Sequence, residues 1–317
     1  MYTHSISFVK RLIRLSFFGF FLFAFSFQTL AQIRSTRQVC GSSIDWNTLR
    51  ADVNKLQKFQ KTQHAIAERV SQLRLENVAD VNAVFEIPVV FHIVDPNPSS
   101  ITDAAIVSQL DVLNESYAGT NADSVNSFNF YNVRGHTKII FLLAKRSPNG
   151  CNTNGITRTV SNLSITNETA SNIKHSATGG IDIWDSFNTK YLNIWVGNFG
   201  AEPDDGGVGN GIATPPDESD PLLEQGVVIN KTTFSFTNDR FTNGKILVHE
   251  IGHFLNLRHI WGDAAGCSID DGINDTPKQD TCTFGGPISI SLELIIKTIW
   301  TIPMIRAEQC LQRCRLL

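Results

Sequence analysis

Apolar residues recur along this chain with two different periods. Leu49, Val53, Leu56 and Phe59, then Ile66, Val70 and Leu73, stand at helical spacing on a Lys- and Gln-rich background, which predicts an amphipathic helical segment between Ile44 and about Ala83. The stripe is too sparse to make a core alone, so it must lean on another surface. From Phe85 the pattern changes. Phe85 to Val94 is β-branched and apolar on both faces, as an interior strand of a sheet would be. Thr102 then caps a helix that carries Ile106, Leu110, Leu113 and Tyr117 along one side. Further strands are expected from Lys138 to Ala144, Tyr191 to Val196 and Gly226 to Ile229, after which Ile246, Leu247, Ile251, Phe254 and Leu255 return to helical spacing.

That last helix carries the chemistry. It reads His249-Glu250-Ile251-Gly252-His253, with a third histidine at His259. Residues four apart share a helix face, so His249 and His253 can converge on one Zn²⁺, with Glu250 beside them to take a proton from a water at the metal. A straight helix would carry His259 about 9 Å along the axis beyond His253. The chain must therefore turn between Leu255 and His259. Asn256 sits where the turn is needed, and Asn is, after Gly, the residue most at ease in the left-handed conformation that ends helices.

This constellation resembles the metzincin zinc peptidases, whose extended motif is H-E-x-x-H-x-x-G-x-x-H. Asn256 stands at the glycine position, a departure tolerated in the pappalysin-like branch. Val248, the run His259-Ile260-Trp261-Gly262-Asp263 and the run Asp275-Thr276-Pro277 also resemble that branch, in its cytophagalysin-type form. The resemblance covers roughly Cys40 to Pro287. It implies an α+β, metzincin-like zincin fold: a mixed twisted sheet with two long helices, one of them the zinc-binding active-site helix. It further implies zinc held by His249, His253 and His259, Glu250 as general base, and protein or peptide substrates bound in extended form along an exposed edge strand. The strand from Tyr191 to Val196 is the candidate for that neighbourhood. His92, His136 and His175 share no ligand spacing and read as structural or surface residues. The run Gly206-Gly207-Val208-Gly209-Asn210-Gly211 has no helix after it and reads as a surface loop beside the cleft, not a phosphate loop.

Composition is that of an ordinary globular chain: 42% hydrophobic and 18% charged residues suffice for a core, and a net charge of −3 gives no reason to expect nucleic acid. Residues 1–31 read as a signal peptide. Lys10, Arg11 and Arg14 form a basic region, Leu15 to Phe27 an apolar one, and Thr29-Leu30-Ala31 a small-residue cleavage site. The apolar run is shorter than the roughly 20 residues a span requires, so no membrane anchor is expected after cleavage. The product would be secreted to an extracellular or periplasmic space, where disulfides form. Cys267 and Cys282 bracket an acidic loop and could pair with each other, while Cys151 lies in a turn-rich segment with no evident partner.

Residues 32–84 read as a pro-segment and 85–287 as an incomplete catalytic domain. Cys40, in Arg37-Gln38-Val39-Cys40-Gly41, resembles the cysteine switch of metzincin zymogens, in which a thiolate occupies the position the catalytic water needs. Asp263, Asp270, Asp271, Asp275 and Asp280 lie close together, and hard oxygen ligands at that density suit Ca²⁺. The resemblance implies calcium at Asp270, Asp271, Asp275 and Thr276, although the spacing is not that of an EF-hand.

The branch's Met-containing turn, commonly Asn-Tyr-Met-Asp-Tyr-Thr-Asp-Asp, is missing. Met304 is the only methionine besides Met1, and its neighbours do not match. Codons for Lys297 to Ile305 exist that spell the missing string in another frame, so residues 288–317 read as an aberrant tail in which the C-terminal subdomain is truncated or frameshifted. The expected function is a secreted zinc endopeptidase precursor. The alternative is a catalytically silent zinc-binding protein without the Met-turn subdomain. A zincin with an acidic third ligand is disfavoured by His259.

Overall fold

The computed structural model describes residues 38–40, 46–75, 84–121, 137–166, 168–184, 190–200, 208–214, 225–234, 244–259, 261–264 and 268–273. The expected signal segment, Cys267, Asp275, Thr276, Cys282, His136 and the tail from 288 lie outside the described residues. In chain order the elements are β1 (Gln38–Cys40), α1 (Trp46–Ala51), α2 (Val53–Leu75), β2 (Phe85–Asp95), α3 (Asp103–Ala118), β3 (Ile139–Leu143), β4 (Ile156–Val160), β5 (Ser164–Ile165), β6 (Leu192–Phe199), β7 (Val208–Thr214), β8 (Gly226–Asn230) and α4 (Lys245–Phe254).

Local signals place the helices. Asp52 separates α1 from α2, and its Oδ1 accepts the backbone N–H groups of Asn54 at 3.0 Å and Lys55 at 3.1 Å. The Thr102 hydroxyl accepts the Ala105 N–H, and Gly119, at φ 68°, ends α3 in the left-handed conformation. Of the expected α2 stripe, Leu56 and Phe59 are half-buried, whereas Val53, Ile66 and Val70 are exposed. Among the described residues, the helix leans on the rest of the molecule through its first half.

One mixed sheet runs in the order β1-β7-β8-β6-β2-β3, with β4 also paired to β2 and β5 to β6. Strand β6 pairs in parallel with β2 on one side and with β8 on the other, and β2 is flanked on its other side by β3 and then β4. The interior position read from Phe85 to Val94 is therefore observed. The strand beginning near Tyr191 is not the substrate edge: β6 lies between β2 and β8 and is buried along nearly its whole length. The strand nearer the rim is β7, antiparallel to β8 and paired on its other side, in parallel, with β1. The Gly-rich run is corrected as to its form, since from Val208 it is strand β7 and not a loop. Its Val-Gly-Asn-Gly-Ile-Ala-Thr sequence carries few side chains to pack, so period and propensity give no strand signal, and pairing through the backbone places it.

The sheet buries both faces. Ile194 and Val196 of β6, with Val89, Phe91 and Ile93 of β2, pack against Ile106, Leu110 and Leu113 of α3 and Ile246, Leu247 and Ile251 of α4. Trp195, one residue out of phase, points to the opposite face with Val94, Val228, Ile165 and Ile173. Each such side chain contributes about 1.5–3 kcal/mol by leaving water, and this packing fixes α4 against the sheet.

Candidate metal centre and active site

Helix α4 is anchored before its histidines begin. Gln109 of α3 donates from Nε2 to the Gly244 carbonyl at 2.9 Å. Gly244 has φ 79°, a left-handed conformation that strains any side chain, and a Cβ there would stand 2.8 Å from that Gln109 nitrogen, so the start of the helix favours glycine. Ile246, Leu247 and Ile251 turn into the core, which places His249 and His253 one turn apart. The helix then stops where expected. Asn256 adopts φ 70°, its N–H donates to the His253 carbonyl at 2.8 Å, and Leu257 N–H donates to the Gly252 carbonyl at 3.0 Å.

That turn brings His259 back. His253 Nε2 lies 3.0 Å from His249 Nε2 and 3.2 Å from His259 Nε2, and the three side chains are almost completely buried. A ligand atom from each lies within 4.8 Å of the others. Two imidazole nitrogens at the usual Zn–N distance around one tetrahedral ion stand about 3.3 Å apart. Three convergent imidazoles of this spacing fit a borderline divalent ion.

The opposite ring nitrogens fix the tautomers. His253 Nδ1–H donates to the Leu257 carbonyl at 2.8 Å, and His259 Nδ1–H donates to Asp263 Oδ1 at 2.5 Å, so in both rings Nε2 keeps a lone pair toward the centre. Burial, and then the other two histidines, holds the His249 pKa well below the ordinary imidazole value. Burial and the neighbouring His259 lower that of His253 to about 4. Neutral rings are what a metal requires.

Glu250 is buried beside this cluster, on the side of β7. A Cβ built on Gly211 would stand 2.6 Å from Glu250 Cγ and 3.1 Å from its Oε1, so the bare strand makes room for the carboxylate. In register, Gly211 pairs with Cys40 of β1, which brings the Cys40 backbone to this rim.

The N-terminal helices reach the same neighbourhood. Trp46 donates from Nε1 to the Gly262 carbonyl at 2.6 Å. Gln63 exchanges hydrogen bonds with the Asn256 amide and accepts from Arg258 at 2.8 Å, while the Arg258 guanidinium lies over the Phe59 ring. Partial burial pulls the Arg258 pKa down, against the opposing pull of Asp270, Asp271 and Asp263.

Among the remaining expectations, Asp270 and Asp271 accept N–H groups of Gly272 and Ile273 in local turns. Asp263, read from sequence as part of the calcium-suited cluster, is instead turned onto His259. His92 is buried and structural, bonded to Thr157 Oγ1 at 2.7 Å and Asn193 Oδ1 at 3.0 Å. Cys151 is an exposed free thiol. Gln63 and Arg258 were not legible as site residues, because each acts through a contact between segments far apart in the chain; Gly211 was read only as part of a run beside the cleft, not as the room for Glu250.

The combination of a mixed sheet, a helix with convergent histidines, and a third histidine returned by a left-handed turn is the arrangement of a metzincin-like fold. Residues 174–289 match the model of the family described as Pregnancy-associated plasma protein-A. A solved structure of a point mutant of Tannerella forsythia promirolysin is 37% identical with a TM-score of 0.64, over 78% of this chain and 78% of that one. Mature mirolysin of Tannerella forsythia in complex with a cleaved peptide is 40% identical with a TM-score of 0.56, over 64% of this chain and 74% of that one. An extracellular metalloprotease of Arthroderma benhamiae is 31% identical over 74 residues, 23% of this chain and 27% of that one, so the chain spans about a quarter of the length of this curated relative. The chain belongs to the pappalysin-like metallopeptidase family. Among the described residues, no helix is long and apolar enough to cross a membrane.

Proposed function

We propose that the chain is the precursor of a secreted zinc endopeptidase. The observation that carries this reading is the convergence of His249, His253 and His259 through Nε2, with Glu250 buried alongside. These three histidines would hold the ion, and zinc bound there would supply Lewis acidity that polarises a scissile carbonyl and makes water acidic enough to ionise near neutral pH. Glu250 accepts the proton of the attacking water and returns it to the leaving amine. Gly211 keeps the carboxylate at the strand rim, where an extended peptide can lie along β7 by strand addition.

In the precursor that edge is occupied. Strand β1 pairs with β7, and Cys40 stands opposite Gly211. This backbone register supports a latent form in which the Cys40 thiolate would take the place of water at the zinc until residues before about Phe85 are removed. The basic and apolar pattern of residues 1–31, read as a signal peptide, and the extracellular names of the fungal relatives support secretion. Calcium at Asp270, Asp271, Asp275 and Thr276 belongs to the same reading and rests on the family resemblance.

Zinc content and casein hydrolysis, with and without a chelator, test the proposal. One zinc per chain, and hydrolysis that the chelator stops, is the expected result. Zinc without hydrolysis after removal of the N-terminal segment would favour the silent zinc-binding alternative, and no zinc would refute both.

A further inference from the structure

The loop after the third histidine is built to return one carboxylate onto that histidine. Gly262 and Asp263 both adopt left-handed backbone, at φ 63° and 58°. A Cβ on Gly262 would stand 2.7–2.9 Å from backbone atoms of Asp270, so the first of these positions excludes any side chain. Asp263 holds a conformation that L-residues enter at a cost and that Asp tolerates better than most. Two left-handed residues in succession curl the chain tightly enough that residue 263 points back four positions. Its side chain is only 3% exposed, and its Oδ1 lies 2.5 Å from His259 Nδ1. Trp261, between them, stacks on the His259 ring with centroids 4.3 Å apart and planes 10° from parallel. The ring is thus fixed in its plane by an indole and about its axis by a carboxylate.

The neighbouring ligand makes an instructive comparison. His253 Nδ1 is also held by an acceptor four residues on, again after a left-handed residue, but that acceptor is the neutral Leu257 carbonyl. Of these two rings, only His259 donates to an anion. A carboxylate on the distal nitrogen selects the Nδ1–H tautomer and enriches the electron density at Nε2, which strengthens the ring as a donor to a cation. Arg258, whose charge lies near Asp263, Asp270 and Asp271, offsets the negative charge gathered in this loop.

We infer that Asp263 is the positioning residue of the third metal ligand, setting the tautomer, orientation and donor strength of His259. This rests on the zinc reading above. Asp263 therefore serves the metal site through His259.

The test uses the full chain and zinc alone, with affinity measured by competition against a chromogenic chelator and folding checked by thermal unfolding of the metal-free protein. Asp263→Ala is expected to weaken zinc binding roughly 10- to 100-fold. Asp263→Asn, which tolerates the left-handed backbone and keeps an acceptor oxygen but loses the charge, is expected to fall between Ala and wild type. The visible absorption of the cobalt-substituted Ala variant should also differ from that of wild type, a change that loss of stability alone would not produce. A folded Ala variant that binds zinc within about threefold of wild type and keeps the wild-type cobalt spectrum overturns the inference. If the Ala variant does not fold, the Asn variant decides: several-fold weaker binding supports the role, and unchanged binding overturns it. A wild-type chain that binds no zinc overturns the underlying reading, and the inference with it, and is distinguished by that control.

Discussion

Gly211 and Glu250 share a space that admits only one side chain: a Cβ at residue 211 would stand 2.6 Å from Glu250 Cγ. The strand rim and the proposed general base are therefore fitted to each other. Gly211→Ala should leave zinc content unchanged while displacing the carboxylate. Displacements near 1 Å can cost about a hundredfold in rate, so a fall in kcat/KM of at least tenfold is expected. Undiminished cleavage by the Ala variant would show that Glu250 needs no such room.

The register of Cys40 with Gly211 leads to a prediction about latency. Cys40→Ala should raise the peptidase activity of the unprocessed chain above that of the wild-type precursor, with little change once the N-terminal segment has been removed from both. Equal activity of the two unprocessed proteins would mean that the segment blocks the site by bulk, or not at all.

Helix α2 is tied to the turn that carries the third histidine. Gln63 meets both Asn256 and Arg258, and a hydrogen bond to a charged group contributes about 1.5–3 kcal/mol when well shielded, less here because the contact is only partly buried. Gln63→Ala should loosen this docking by about 1 kcal/mol, equivalent to about fivefold faster limited proteolysis of the N-terminal segment when opening equilibrates rapidly. Identical proteolysis rates for the two proteins would contradict it.

His92 provides a pH signature independent of the metal centre. Burial lowers its pKa from 6.5 to about 4, opposed only in part by the hydrogen bond to Asn193. Between those values the unfolded chain binds a proton that the folded chain does not, so stability rises with pH across the window. The contribution is complete above about pH 6.5 and is lost as pH falls toward 4, amounting to about 3 kcal/mol. In metal-free protein, where His249 and His253 are common to both samples, wild type should lose about that much more stability over this range than His92→Gln. Parallel stability profiles would remove His92 from the account.

What the sequence made legible follows from which interactions are local. The helix of His249 and His253, its end at Asn256, the Thr102 cap and the buried face of α3 all depend on contacts within a few residues, and each is found where period and capping place it. The interior position of β2 was legible because both of its faces are apolar. Strand β7 was not, because its glycines carry no period and its place is set by pairing with β8 and β1. The strand near Tyr191, the candidate for the cleft neighbourhood, lies inside the sheet and not at its edge for the same reason: strand order is a long-range property that spacing does not encode. Asp263 was counted with the nearby aspartates because proximity in sequence said nothing of the two left-handed residues that turn it onto His259.

The most direct measurement is peptide cleavage by zinc-loaded protein, freed of its N-terminal segment, compared between wild type and Glu250→Gln at equal zinc content. The substitution keeps the size of the side chain and removes its ability to accept a proton as a carboxylate. The expected result is one zinc per chain in both proteins, with cleavage by the variant reduced roughly 10²- to 10⁴-fold. Cleavage by Glu250→Gln at the wild-type rate would contradict the assignment of Glu250 and the catalytic account built on it.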